Sequence, residues 1–223
     1  MSRLRSVGMD PAVHADAVAA LVATDAAMAA LHRRNGDPPL WARPSSFASM
    51  VLFILEQQVS LSSAKAAFVR LHEALGAIEP SSFLGLADDR LRSIGFSRQK
   101  TSYCRGIAHD VLGGTLDFAA LDDLDDGEVR RRLTSIRGVG PWTAEVFALF
   151  CLGRANAWPS GDRALAVATG RALGLEVVPS AQQADEIAIR WQPWRGVAAF
   201  FLWHDYLGGT AYQDDGVVAD ILG

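Results

Sequence analysis

Apolar residues recur along most of this chain at intervals of three and four, and strict alternation is rare, so the pattern predicts helices. Val13, Ala17, Leu21 and Val22, then Met28 and Leu31, predict a helical opening over residues 10–33. The turn-rich run Arg33-Arg34-Asn35-Gly36-Asp37-Pro38-Pro39 ends it. Pro44-Ser45-Ser46 starts the next helix, with Ser45 or Ser46 as its cap, and Phe47, Met50, Val51, Ile54 and Leu55 hold one face. That helix runs out in Glu56-Gln57-Gln58-Val59-Ser60, where Ser60 can cap another helix through Ala64, Phe68 and Leu71. Short elements follow around Ser82 to Leu86 and Asp88 to Ile94. A helix from Arg98 to Leu112 then carries Tyr103, Cys104, Ile107, Ala108 and Val111 on one face, until Gly113-Gly114 stops it. Further helices are expected over Ala164–Leu173, Ala181–Trp191 and Trp194–Tyr206, the last opened by Pro193, and the tail from Gly208 reads as loop. Tandem repeats and low-complexity segments are absent. The expected fold class is all-α.

The densest pattern lies between Leu133 and Asp162. After the acidic loop from Asp122 to Gly127, Val129, Leu133 and Ile136 fall on one helical face, and Gly138-Val139-Gly140 interrupts it. Pro141 sits where a helix readily begins, because its missing N–H costs nothing there. From Trp142 to Leu152 nearly every residue except Thr143 and Glu145 is apolar, which predicts a helix surrounded by protein. Helix, glycine hairpin and helix follow one another over about residues 126–152. Such a hairpin presents N–H groups at a helix start, a cradle suited to phosphate; the same glycines serve equally to join two packed helices.

Composition narrows the classes. The 223 residues are 50% hydrophobic and 21% charged, enough for a full core in one large domain or two packed lobes. No apolar run approaches the roughly 18 residues needed to cross a bilayer. Met-Ser-Arg-Leu-Arg-Ser lacks a following apolar stretch, so no secretory leader or membrane association is expected. Cys104 and Cys151 are far apart, which gives no zinc, iron–sulfur or disulfide spacing and fits a reducing cytoplasm. The net charge of −4 excludes a general basic coat for nucleic acid. DNA binding therefore has to rely on a local patch and on backbone amides.

Leu133 to Glu145 together with Asp162 resembles the helix-hairpin-helix DNA glycosylase superfamily. Glu56-Gln57-Gln58-Val59-Ser60, Gly95-Phe96-Ser97-Arg98-Gln99-Lys100, Pro159-Ser160-Gly161-Asp162 and Trp194-Arg195-Gly196 through Trp203 follow in the family's order. The likeness covers roughly residues 47–208 of a single helical domain over 1–223. Within the superfamily it looks like the alkylated-base branch, 3-methyladenine DNA glycosylase II. The resemblance implies a two-lobed helical fold with the active site in the cleft between lobes. It also implies a monofunctional enzyme of base excision repair that removes 3-methyladenine and 7-methylguanine and leaves an abasic site. Bifunctional branches carry a lysine where this chain has Trp142, so no lyase activity is expected. The closely spaced cysteines of the iron–sulfur branch are not found in this sequence, and the extra N-terminal β domain of some members is not expected. Expected partners are double-stranded DNA containing damaged bases and no membrane, with the chain a monomer in the cytoplasm, at the nucleoid if bacterial.

The implied roles fall on particular residues. Asp162 is the candidate catalytic carboxylate; Pro-Ser-Gly-Asp ahead of a helix is also good capping chemistry, and one residue can do both. Trp142 and Trp203, with His204 and Phe47, are candidates for the base pocket, since alkylated purines are cationic and aromatic faces attract cations. Core packing is the alternative for each. Gln58 is the candidate wedge that fills the gap left by a flipped nucleotide, although paired glutamines at a helix junction also suit a solvated turn. Arg137, Gly138, Val139, Gly140, Thr143, Arg98 and Lys100 are candidates for contacting DNA. No cofactor is expected beyond a sodium or potassium ion held by the Ile136 and Val139 carbonyls. Two rival functions remain: a glycosylase for deaminated or oxidised bases, whose pocket would need hydrogen-bonding discrimination, and a non-catalytic helix-hairpin-helix DNA-binding protein, which would have no use for Asp162.

Overall fold

Side-chain caps set most of the helix boundaries. Ser46, Ser60, Ser97, Asp125, Asp162 and Ser180 each accept the N–H three residues further on, satisfying a donor that the first helical turn leaves over. The computed structural model describes residues 9–211 and 216–223. Among them all regular structure is helical: α1 (Pro11–Thr24), α2 (Ala26–Asn35), α3 (Phe47–Glu56), α4 (Leu61–Leu75), α5 (Pro80–Gly85), α6 (Asp88–Ile94), α7 (Arg98–Leu112), α8 (Asp126–Ser135), α9 (Pro141–Cys151), α10 (Arg163–Ala172), α11 (Ala181–Ala188), α12 (Arg195–Leu207) and α13 (Val217–Leu222), with short 3-10 turns between some of them.

Two boundaries depart from the sequence expectation. The helical opening is two helices, because the Asp25 side chain accepts the Ala27 and Met28 N–H groups and starts α2 anew. Periodicity alone carries straight through such a break. The tail beyond Gly208, expected as loop, holds α13.

The described chain divides into two units, one from residues 9–42 and 148–211, the other from 43–147 and 216–223. In the first, α12 is the central helix. Val197 through Leu202 are essentially inaccessible, and α10, α2 and α1 pack around them. Gly196 allows this. A Cβ there would lie 2.5 Å from Leu149 Cδ1 and 2.9 Å from the Ala155 carbonyl, which instead accepts the Gly196 N–H at 2.8 Å. In the second unit α3 takes the central place. Its run from Met50 to Leu55 is buried on every side, against α4 and α7, as an all-apolar helix must be. Lys100 Nζ donates to the carbonyls of Leu55 (2.7 Å) and Gln57 (2.9 Å), closing the C-terminal end of α3.

Candidate active site

Asp162 ends a short loop, Trp158–Gly161, built from two successive turns. The Ser160 N–H donates to the Trp158 carbonyl (2.8 Å) and the Asp162 N–H to the Pro159 carbonyl (3.1 Å), with Gly161 at φ +82°. Positive φ at the third position of a β-turn is what glycine supplies. The Asp162 carboxylate then caps α10: its Oδ1 accepts the Leu165 N–H at 2.8 Å and the indole N–H of Trp203, on α12, at 3.3 Å. Capping and placement of the carboxylate are one arrangement.

Around Trp203 the first unit gathers further aromatic rings. Phe150 lies 5.7 Å from it and 5.5 Å from Phe200, and Trp41 meets Phe200 edge-on at 5.5 Å. Phe200 is buried, whereas Trp41, Phe150 and Trp203 are each half-buried. His204 is 7% exposed and belongs to the buried side of α12.

In the second unit, α8 and α9 flank the glycine hairpin. Gly138 takes φ +95°, and a Cβ there would fall 2.2 Å from the Tyr103 ring, so only glycine fits under that tyrosine. Val139 is buried, and its N–H donates to the Ile136 carbonyl (3.0 Å). Gly140 is exposed with open space around it, and Arg137 beside it is exposed as well. The Gln57 amide donates to the Gly138 carbonyl and to Thr143 Oγ1, both at 2.9 Å. Gln57 therefore fastens the α3–α4 loop to the hairpin. Gln58, next in that loop, is exposed and is the one non-glycine among the described residues with positive φ, +56°. Such a conformation costs of order 1–3 kcal/mol and persists only where neighbours impose it.

The model of the superfamily described as "HhH-GPD superfamily base excision DNA repair protein" matches residues 51–193, more than half of the chain. The chain belongs to the HhH-GPD superfamily. It is similar to the DNA-3-methyladenine glycosylase of Bacillus subtilis, 27% identical over 172 residues, which cover 72% of this chain and 57% of the relative. Among solved structures it is similar to a DNA-3-methyladenine glycosidase from Bacillus halodurans (30% identity, TM-score 0.71, covering 88% of this chain and 89% of the other). It also shares its fold with the Schizosaccharomyces pombe 3-methyladenine DNA glycosylase Mag1 in complex with abasic DNA (22% identity, TM-score 0.79, covering 89% and 100%). The chain spans about three-fifths of the length of two curated relatives from Bacillus subtilis, 64% and 57%.

Four side chains of this HhH-GPD chain do not stand where the sequence placed them, the buried His204 among them. Phe47, expected in the base pocket, is 4% exposed and packs edge-on against Phe83 at 5.8 Å, as part of the second unit's core. Lys100, expected on DNA phosphate, spends its ammonium on the end of α3, and burial lowers its pKa. Thr143 is 2% exposed and accepts from Gln57, so only its backbone can serve a phosphate. Arg98 is exposed at the start of α7, and Trp142 is half-buried in the first turn of α9.

Sequence reasoning passed over the brace made by Gln57 and the rings of Trp41 and Phe150. Phe150 sits in the apolar run 146–151 of α9 with no polar contrast beside it, and Trp41 follows a proline turn with no periodic context. Only the adjacency of Gln57 to Gln58 hinted at a role. The chain has no cluster of three or more His, Cys, Asp or Glu suited to a metal among the described residues. Among them also, no single helix is long and apolar enough to cross a membrane.

Proposed function

We propose that this chain is a monofunctional DNA glycosylase of base excision repair that hydrolyses the N-glycosidic bond of alkylated purines in double-stranded DNA, leaving an abasic site. The observation that carries the reading is Asp162: a carboxylate pinned by a helix N-terminus and an indole N–H, with half-exposed aromatic rings beside it. The names of the Bacillus relatives support the substrate class.

The chemistry follows from the substrate. The damaged base has to leave the stack, because its glycosidic bond is out of reach inside the duplex. A purine alkylated at N3 or N7 is cationic, so it departs as a neutral molecule and needs no strong general acid. Positive charge moves onto the sugar in an oxocarbenium-like state. Asp162 stabilises that charge electrostatically and directs the attacking water. Trp203, with Phe150 and Trp41, offers the base aromatic faces, worth about 2 kcal/mol or more toward a desolvated cation. Trp142 stands where bifunctional relatives have lysine, so no amine is available for a Schiff base.

In the second unit the hairpin N–H groups receive backbone phosphate, and Gln58 fills the gap in the helix. The Ile136 and Val139 carbonyls are neutral oxygen donors of the kind that suit a sodium or potassium ion, and Ile136 keeps a second lone pair beyond its bond to Val139. The reaction uses no redox cofactor. The protein acts as a monomer in the cytoplasm. The test is release of 3-methyladenine and 7-methylguanine from methylated duplex DNA by the parent and by Asp162→Asn. Release by the parent and near-total loss in the variant support the reading; equal release by both removes Asp162 from the site.

A further inference from the structure

Asp185, on α11, accepts two hydrogen bonds from the loop that leads into Asp162. Trp158 Nε1 donates to Oδ1 at 3.0 Å and Ser160 Oγ to Oδ2 at 2.6 Å, so both oxygens of one carboxylate are engaged by residues two apart. Within the loop, the Ser160 and Asp162 N–H groups close the two turns. Behind it lies a cavity of about 120 Å³, lined by Trp158, Gly161, Asp162, Ser180, Ala184 and Asp185. The cavity leaves the loop room to shift, and at its edge Asp185 ties Trp158 and Ser160 directly to α11. The tie itself is anchored. Ser180 and Gln183 form a reciprocal cap at the start of α11, and the Trp158 ring packs at 5.8 Å from Trp191 just beyond its end.

We propose that Asp185 is a positioning residue for base excision: it clamps the Trp158–Gly161 loop so that Asp162 is held at its working position. This rests on the assignment of Asp162 as the catalytic carboxylate. Asp185 touches neither the base nor the sugar and acts only through Trp158 and Ser160. Relaxing the loop by an ångström displaces the Asp162 carboxylate relative to the developing charge. Displacements of that size cost up to about 10²-fold in rate.

The experiment is single-turnover excision of 7-methylguanine from a defined duplex at saturating protein, with binding to an abasic duplex measured alongside. Asp185→Ala should slow the chemical step by about ten- to a hundredfold with the dissociation constant unchanged. Asp185→Asn, which keeps one acceptor oxygen, should fall between parent and alanine. Ser160→Ala is the milder variant and should slow the step several-fold, and adding it to Asp185→Ala should cost little more, because both remove the same tie. Parental rates for Asp185→Ala, multiplicative losses in the double variant, or a deficit that disappears at lower temperature as the fold recovers would each overturn the clamp. Asp162→Asn is run in parallel. If it is inactive while Asp185→Ala is parental, only the clamp falls; if it is fully active, the assignment of the carboxylate falls and the clamp with it.

Discussion

Trp203 and Asp162 meet across 3.3 Å, indole N–H to carboxylate oxygen, and the oxygen that Trp203 uses is the one that caps α10. Two donors from different helices thus fix one oxygen of the carboxylate. Trp203→Phe keeps an aromatic face and deletes one donor. It should lower the excision rate while retaining most of the preference for cationic bases, whereas Trp203→Ala should lose both. Asp162→Asn should cost about 10²–10³ in rate, the usual loss for one well-placed electrostatic group. Rates on matched 7-methylguanine and uracil duplexes separate these effects.

The two hairpin glycines should behave differently. Gly138→Ala drives a Cβ into the Tyr103 ring at a backbone angle that alanine resists, so it should lower the melting temperature markedly. Gly140→Ala meets nothing within 4 Å and should melt like the parent. Its added methyl should still weaken binding to damaged and undamaged duplexes alike, because it stands where a phosphate would approach. Equal melting losses in both variants would contradict the reading of Gly138.

Lys100 and Arg137 should differ in the salt dependence of DNA binding. Arg137 is exposed beside the hairpin, so Arg137→Ala should reduce the slope of log K against log salt by about 0.9 if it neutralises one phosphate. Lys100→Met should leave the slope unchanged and lower stability instead, since it uncaps α3. A reduced slope for Lys100→Met would restore it to the DNA-binding face.

Borohydride should trap no covalent adduct between this protein and abasic DNA. With Trp142 in the hairpin's second helix, the amine that would form the Schiff base is missing. A trapped band that depends on Lys65 or Lys100 would indicate lyase chemistry.

Acidification should destabilise the fold partly through His14. It is 8% exposed, 6.2 Å from the Phe200 ring, and burial lowers its pKa below the ordinary 6.5, against a smaller attraction to Asp37. As pH falls from 6.5 toward the folded-state value, the unfolded chain takes up the proton first, so stability is lost in that window and is fully present above it. Each unit of depression corresponds to about 1.4 kcal/mol. Urea midpoints measured from neutral pH downward should show this slope, and His14→Gln should flatten it.

The helical architecture was legible because period and caps agree: Ser46, Ser60 and Ser97 mark starts that the apolar spacing also demands. Asp162 was legible as a cap for a related reason, since Pro-Ser-Gly-Asp ahead of a helical run is capping chemistry and its carboxylate accepts the Leu165 N–H. Lys100 was not. A lysine beside a candidate motif has the same sequence signature whether its ammonium meets a phosphate or a carbonyl. Phe47 failed similarly, because only burial separates a core ring from a pocket ring. The break at Asp25 was hidden by unbroken apolar spacing, and the clamp at Asp185 by separation along the chain.

The Asp25 carboxylate that starts α2 also accepts the indole N–H of Trp191, 166 positions further along, at 3.1 Å, and pairs with Arg190 at 2.8 Å. It is 6% exposed, so its burial presupposes those late partners. During synthesis at about 5–20 residues per second, α1 and α2 wait on the order of ten seconds or more before residues 190 and 191 emerge. The intervening stretch, residues 43–147, supplies most of the other unit and is complete well before then. Translation thus imposes an order: the nested unit has the head start, and the unit carrying Asp162 closes around its first-made helices only near the end. Ribosome-arrested chains ending before and after Trp191 should differ sharply in protease resistance of α1 and α2. Substitution of Asp25 should then show itself in yield on expression more than in the activity of whatever folded protein is recovered.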